Sequence, residues 1–156
     1  MLERRRAAGR GNMRVTTNMR RTLCVFNRNR ESFLGLRVAP ADTFRTRLKG
    51  LLGKRSAEPD DGLWLVPSHG IHTIGMRFAV DLIYLDSANR VIHLVEQLGP
   101  FRISPIWMRC ASILELPSRA IYSSHTQVGD ELLICAPDEI EKHVQRSRRQ
   151  SALTEP

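Results

Sequence analysis

The sequence predicts a mainly β domain, a compact antiparallel β-sandwich or barrel carrying one short α-helix. Two observations carry the prediction. From Gly62 onward, short apolar runs rich in Val, Ile and Leu alternate with turn residues. Before that point, only one stretch has the spacing of an amphipathic helix. A chain of 156 residues has room for one such domain plus tails, with a core large enough to hold it.

The elements follow in chain order. Residues 1–21, MLERRRAAGRGNMRVTTNMRR, lack apolar periodicity and are expected to form a disordered basic arm. The domain is expected over residues 22–137. It opens with β-prone runs at residues 22–27 (TLCVFN) and 33–38 (FLGLRV), which form a candidate strand pair around a polar loop. In the following stretch Asp42 or Thr43 can cap a helix, and Phe44, Leu48, Leu51 and Leu52 fall on one face. Gly53 stands at the expected stop, with Lys54 and Arg55 beside the last carbonyls. Further strands are expected at residues 62–66 (GLWLV), 80–86 (VDLIYLD), 90–96 (RVIHLVE), 112–117 (SILELP) and 130–136 (DELLICA). DSAN joins the second and third of these as a hairpin, with Asn89 in the left-handed position usually given to glycine. Residues 138–156 form a polar tail that can begin as a weak helix on Ile140 and Val144 before fraying.

The charge sits at one end. Residues 1–30 carry nine arginines against one acid, Glu3, a net of +8, whereas residues 31–156 carry 15 Lys/Arg against 15 Asp/Glu. A balanced domain is a poor platform for nucleic acid, so any phosphate-backbone contact falls to the arm, residues 1–21, which otherwise reads as a solvated leader. No apolar run approaches the ~20 residues of a membrane span. The arginine-rich start is not followed by the apolar region of a secretory signal, and a cytoplasmic location is expected. Cys24, Cys110 and Cys135 have no C-x-x-C spacing and read as reduced thiols, with Cys110 and Cys135, among apolar neighbours, expected as core fillers.

Candidate function gathers in GIHTIGMRFAVDLIYLD, residues 70–86, and in the carboxylate of LEL, Glu115. If the stretch is extended, Met76, Phe78 and Val80 share one face while Arg77, Ala79 and Asp81 share the other. Asp81 and Glu115 are embedded in apolar sequence, where an unpaired charge costs several kcal/mol. Arg47, Arg77 and Arg109 are the candidate partners. Such a group can be a structural ion-pair network, the favoured reading, or an acid–base pair served by His72. His69, His72 and Asp81 do not make a convincing metal site, because an i, i+3 pair points to opposite sides of a strand and no further compact ligand motif is present. No metal and no cofactor are expected. Ser68 beside His69 lacks the G-x-S-x-G elbow of a hydrolase. Thr73 is expected to bond backbone at the loop–strand junction. Trp64, Met76, Phe78 and His93 are expected in the core, and Trp107 as a partly exposed aromatic lid.

The ordered blocks FRTRLKGLLGK, GLWLVPSHGIHTIGMRFAVDLIYLD, RVIHLVEQLGPFRISP, SILELP and VGDELLI closely resemble the DUF192 family, also called UPF0127, over roughly residues 24–135. The resemblance implies a jelly-roll-like β-sandwich of bacterial or archaeal origin and no established activity. Family members often carry cysteine where this chain has Ser68, and a Gly-Ala pair where it has Cys110-Ala111. Many members are exported, whereas no leader is expected here. The expectation for function is a non-catalytic module that binds a small molecule or a protein through His72, Thr73, Met76, Arg77, Asp81 and Glu115. The alternative is a hydrolase- or lyase-like enzyme using Asp81 or Glu115 with His72, and a third reading is nucleic-acid association through the arm.

Overall fold

A computed structural model describes residues 22–41 and 56–152. The basic arm and the helix expected over residues 42–53, Arg47 included, lie outside the described residues. Every strand expected from the sequence is present: β1 (Leu23–Asn27), β2 (Ser32–Ala41), β3 (Asp61–Leu65), β4 (Val80–Leu85), β5 (Val91–Leu98), β6 (Ser112–Pro117) and β7 (Leu132–Cys135). Among the described residues two helices accompany them, α1 (Ala120–Ser124) and α2 (Pro137–Ala152).

All seven strands hydrogen-bond into one sheet, in the order β5-β4-β6-β3-β2-β1-β7, curled into a half-barrel. The sheet is mixed, which corrects the antiparallel expectation. β2 and β3 run parallel, with Val38 opposite Gly62 and Ala41 opposite Leu65. A parallel pair needs a crossover of a dozen or more residues, and residues 42–60 supply that length. The other pairings are antiparallel.

The sheet buries both faces, which explains why β4 reads as apolar without alternation: all six of its residues are buried. On one face Ile83, Leu85, Leu114 and Leu116 pack with Val25, Val38 and Ile121. On the other, Val80, Leu82, Tyr84 and Ile113 pack with Leu63, Leu65, Met76 and Cys110. Gly62 permits close packing within the first core. A Cβ there would lie 2.7 Å from Leu116 Cδ2 and 3.0 Å from the Glu115 carbonyl oxygen.

The turns obey their local chemistry. Asn89 adopts φ 57°, as its place in DSAN predicts, and the Asp86 carboxylate accepts the Ala88 and Arg90 amides. Asn27 ends β1 as a buried hub. Its side chain accepts the Asn29 and Arg30 amides and donates to Thr126 Oγ1 and Asp130 Oδ2, tying the β1–β2 turn to the turn before β7.

The C-terminal helix is longer than the frayed start expected. Pro137 suits a first helical turn, Asp138 and Glu139 complement its positive end, and Ile140 is buried against Cys24 and Cys135. Those two cysteines, distant in sequence, are direct cross-strand neighbours with free, buried thiols. The five-residue α1 was not expected. It has no sequence-local cap, since Arg119 before it takes φ 75° with no capping side chain.

Candidate binding surface

The carboxylates differ first by direction. Along β4, Val80, Leu82 and Tyr84 face the core shared with Met76, and Asp81, Ile83 and Leu85 face the other. Across β4 and β6, Leu82 stands opposite Glu115 and Asp81 opposite Leu116. Directly opposed residues share a face, so Asp81 and Glu115 point to opposite sides of the sheet. They are not brought together.

Asp81 is fully buried, and its partners are backbone amides rather than the expected arginines. Oδ1 accepts the Gln97 N–H at 2.9 Å and Oδ2 accepts the Ile121 N–H at 3.0 Å. The first donor arises from an irregularity in the β4–β5 pairing, where Val80 pairs Leu98 but Leu82 pairs Val95 and Gln97 takes φ 53°. The second is an orphan donor at the start of α1, which has no cap of its own. The charge is placed where two unpaired N–H groups converge, a use that the sequence pattern of β4 does not display.

Glu115 is 5% exposed, in a row with Leu63 and Leu82 across three strands. No hydrogen bond or ion pair among the described residues ends on its carboxyl, and burial pushes it up to about 7. The raised value therefore comes from an apolar setting, not from a neighbouring catalytic acid.

His72, Thr73, Met76 and Arg77 belong to a different feature. The expected extended strand does not begin until Val80; residues 74–75 form a turn, with Gly75 at φ 85°. The residues before that turn pair antiparallel with the segment after β5. His72 and Ile103 form a bridge, the Ile71 carbonyl accepts the Ser104 N–H, and the His69 carbonyl accepts the Trp107 N–H. Residues 67–79 and 99–110 thus make a two-stranded loop ribbon. Thr73 is its rivet. Its hydroxyl donates to the Gly99 carbonyl at 2.7 Å and accepts the Arg102 N–H at 2.9 Å, so it bonds backbone as expected, but across the ribbon rather than within its own turn. Met76 is buried in the core beneath.

Aromatic contacts fasten the ribbon to the sheet. Trp107 stacks on His93 at 4.7 Å, His93 meets Tyr84 at 5.3 Å, and the Tyr84 hydroxyl donates to the Pro105 carbonyl at 2.8 Å. His93 is half-buried in this stack, and Trp107 remains 40% exposed. The Ser68 hydroxyl donates to the Gly70 carbonyl and its residue is buried, which leaves it structural.

The outer side of the ribbon is apolar and basic. Six of the ten exposed large hydrophobic residues of the described chain lie on it: Ile74, Phe101, Ile103, Ile106, Trp107 and Met108. That concentration distinguishes it from scattered surface hydrophobes, which need no explanation. His72 and Arg77 are exposed there with Arg102 and Arg109, and the two segments contain no acid. The ion pairs among the described residues are Arg28–Glu131, Arg30–Asp130 and Arg37–Asp61, so the three ribbon arginines are unpaired with carboxylates. Trp107 is partly exposed, as expected of a lid, but the other apolar members were missed in the sequence because FRISPIWM alternates with neither period. Pro100 before it and Pro105 within it were the available signal that these side chains belong to loops.

A separate cleft of about 560 Å³ lies by Trp64, Cys135 and Glu139 and holds none of the six candidate residues. Among the described residues, no three His, Cys, Asp or Glu side chains gather in a metal-binding group.

The DUF192 family model, described as "Uncharacterized ACR", matches residues 25–134. No curated protein matches the chain. Two crystal structures resemble its fold. One is of a candidate transcription regulator from Sinorhizobium meliloti 1021, with 19% identity, TM-score 0.58, and coverage of 72% of this chain and 91% of that one. The other is of a protein of unknown function from Novosphingobium aromaticivorans DSM 12444, with 16% identity, TM-score 0.61, and coverage of 72% and 83%. At these identities the likeness is one of fold.

Proposed function

The chain belongs to the DUF192 family, and from that premise we propose a non-catalytic binding module whose recognition surface is the 67–79/99–110 ribbon. The observation that carries the reading is the concentration of exposed apolar side chains with unpaired arginines on loops held by backbone hydrogen bonds. Apolar area supplies the affinity of such a surface, while arginine supplies orientation toward negative charge. His72 and Arg77 are the members of the candidate cluster that face a partner. Thr73 and Met76 hold the ribbon in place, and Asp81 and Glu115 serve the sheet.

The enzymatic alternative draws less support. It asks Asp81 or Glu115 to exchange protons with His72, yet both Asp81 oxygens are engaged by amides, and among the described residues no hydrogen bond or ion pair joins His72 to Glu115, which sits in a row with Leu63 and Leu82. A thermal-shift screen of anionic amphiphiles and acidic peptides tests the reading, because a binder of the native state raises its apparent stability. Stabilisation of the wild type that weakens in Arg77→Gln/Arg102→Gln supports it. Turnover of any screened compound that is lost in Glu115→Gln overturns it.

A further inference from the structure

We propose that the ribbon docks on an anionic lipid surface, inserting its apolar tips and laying its arginines against the headgroups; this rests on the ribbon being the recognition surface. Shape is the first argument. Met108, Ile103, Ile106 and Phe101 are 78%, 73%, 70% and 69% exposed, so they project rather than line a groove. A protein partner would need a matching pocket for each projecting side chain, whereas acyl chains accept them without one. Charge is the second argument. Arg77, Arg102 and Arg109 carry three positive charges with no acid in either segment, and basic residues near an anionic leaflet are attracted to it. Trp107 has its ring stacked on His93 and is only partly exposed, less than the four projecting side chains, which suits a residue at the headgroup level.

The mode is peripheral. No helix of the described residues is long and apolar enough to cross a membrane. Reversible surface binding generally needs both a small inserted apolar element and a basic patch, and the ribbon presents both. The hydrogen bonds of Thr73 and Tyr84 fix the ribbon beforehand, so docking requires little ordering of the loops.

The test uses the full chain with phosphatidylcholine vesicles containing or lacking phosphatidylglycerol. The expected result is co-sedimentation with the anionic vesicles that falls as salt is raised, together with quenching of Trp107 fluorescence by brominated acyl chains. Trp107→Phe removes the contribution of that residue and isolates Trp64. Ile103→Asp/Met108→Asp changes exposed positions, so the variant is expected to keep the wild-type melting temperature within a few degrees while its vesicle partitioning drops at least about tenfold. The arginine-rich residues 1–21 can also attract anionic vesicles, but they cannot place Trp107 among acyl chains. Co-sedimentation without Trp107 quenching, or unchanged in the double variant, overturns the inference. So does a lack of vesicle binding alongside ribbon-dependent stabilisation by acidic peptides, which assigns the surface to a protein and leaves the binding-module reading standing. Loss of every ribbon-dependent response overturns both.

Discussion

Asp81 and Glu115 lie on neighbouring strands one register step apart and point to opposite faces of one sheet. Their proximity in the strand order suggests a carboxylate pair, and the pleat separates them. Each then answers to its own surroundings, Asp81 to two amides and Glu115 to apolar neighbours.

Replacing Asp81 is expected to be costly. Asp81→Ala leaves the Gln97 and Ile121 N–H groups without acceptors. At about 1–3 kcal/mol for each orphaned donor, the loss is roughly 2–6 kcal/mol, the larger part from the buried Ile121 N–H and the smaller from the part-buried Gln97 N–H. Urea unfolding measures it, and amide exchange at Ile121 should accelerate beyond the global change as the start of α1 frays. A loss below about 0.5 kcal/mol would contradict the role assigned to the carboxylate.

Glu115 sets a pH dependence of known sign. Its folded pKa, about 7, lies above the ordinary 4.5, so the folded state holds a proton that the unfolded chain releases. The stability is complete below about pH 4.5 and is lost as pH rises toward and through 7, by roughly 3 kcal/mol at about 1.4 kcal/mol per unit. Glu115→Gln should flatten this slope. Comparing urea midpoints at pH 5 and pH 8 for the two proteins checks it, and equal slopes would refute the assignment.

Asp130 works in the opposite direction. Burial raises its pKa, but hydrogen bonds from Arg30, Asn27 and the Gln127 amide outweigh that and hold it below the usual carboxylate range. Its contribution is present above the ordinary value and is lost as pH falls through the lowered one. Asp130→Asn should cost about 1–3 kcal/mol at neutral pH and remove that part of the acid-side loss. Acid titration monitored by amide resonances of the 125–130 turn reads both effects.

Much of the fold was legible because β-strands announce themselves by composition and by the turns that bound them. Each run from TLCVFN to DELLICA became a strand. Topology was less legible. Whether β3 lies parallel or antiparallel to β2 depends on the crossover between them, not on GLWLV itself. The site was legible in part. GIHTIGMRF drew attention to a loop that forms one arm of the ribbon, but the partners of Asp81 are backbone groups contributed by a strand irregularity and a five-residue helix, and backbone partners leave no residue signature. Projecting hydrophobes are equally hard to read, since a leucine or phenylalanine in sequence looks the same whether packed or exposed.

Thr73 couples the two arms of the ribbon, so Thr73→Val should loosen it without unfolding the sheet. The expected cost is about 1–2 kcal/mol, with faster amide exchange at Arg102 and little change in β4 or β6. Uniform acceleration across the sheet would show instead that Thr73 supports the whole domain.

The central claim is that the ribbon binds while the carboxylates hold the sheet. Thermal shift with one panel of anionic amphiphiles, applied to the wild type, Glu115→Gln and Arg77→Gln/Arg102→Gln, tests it most directly. Glu115→Gln is expected to keep the wild-type shifts, and the double arginine variant to lose most of them. Shifts abolished by Glu115→Gln and preserved without the two arginines would contradict it.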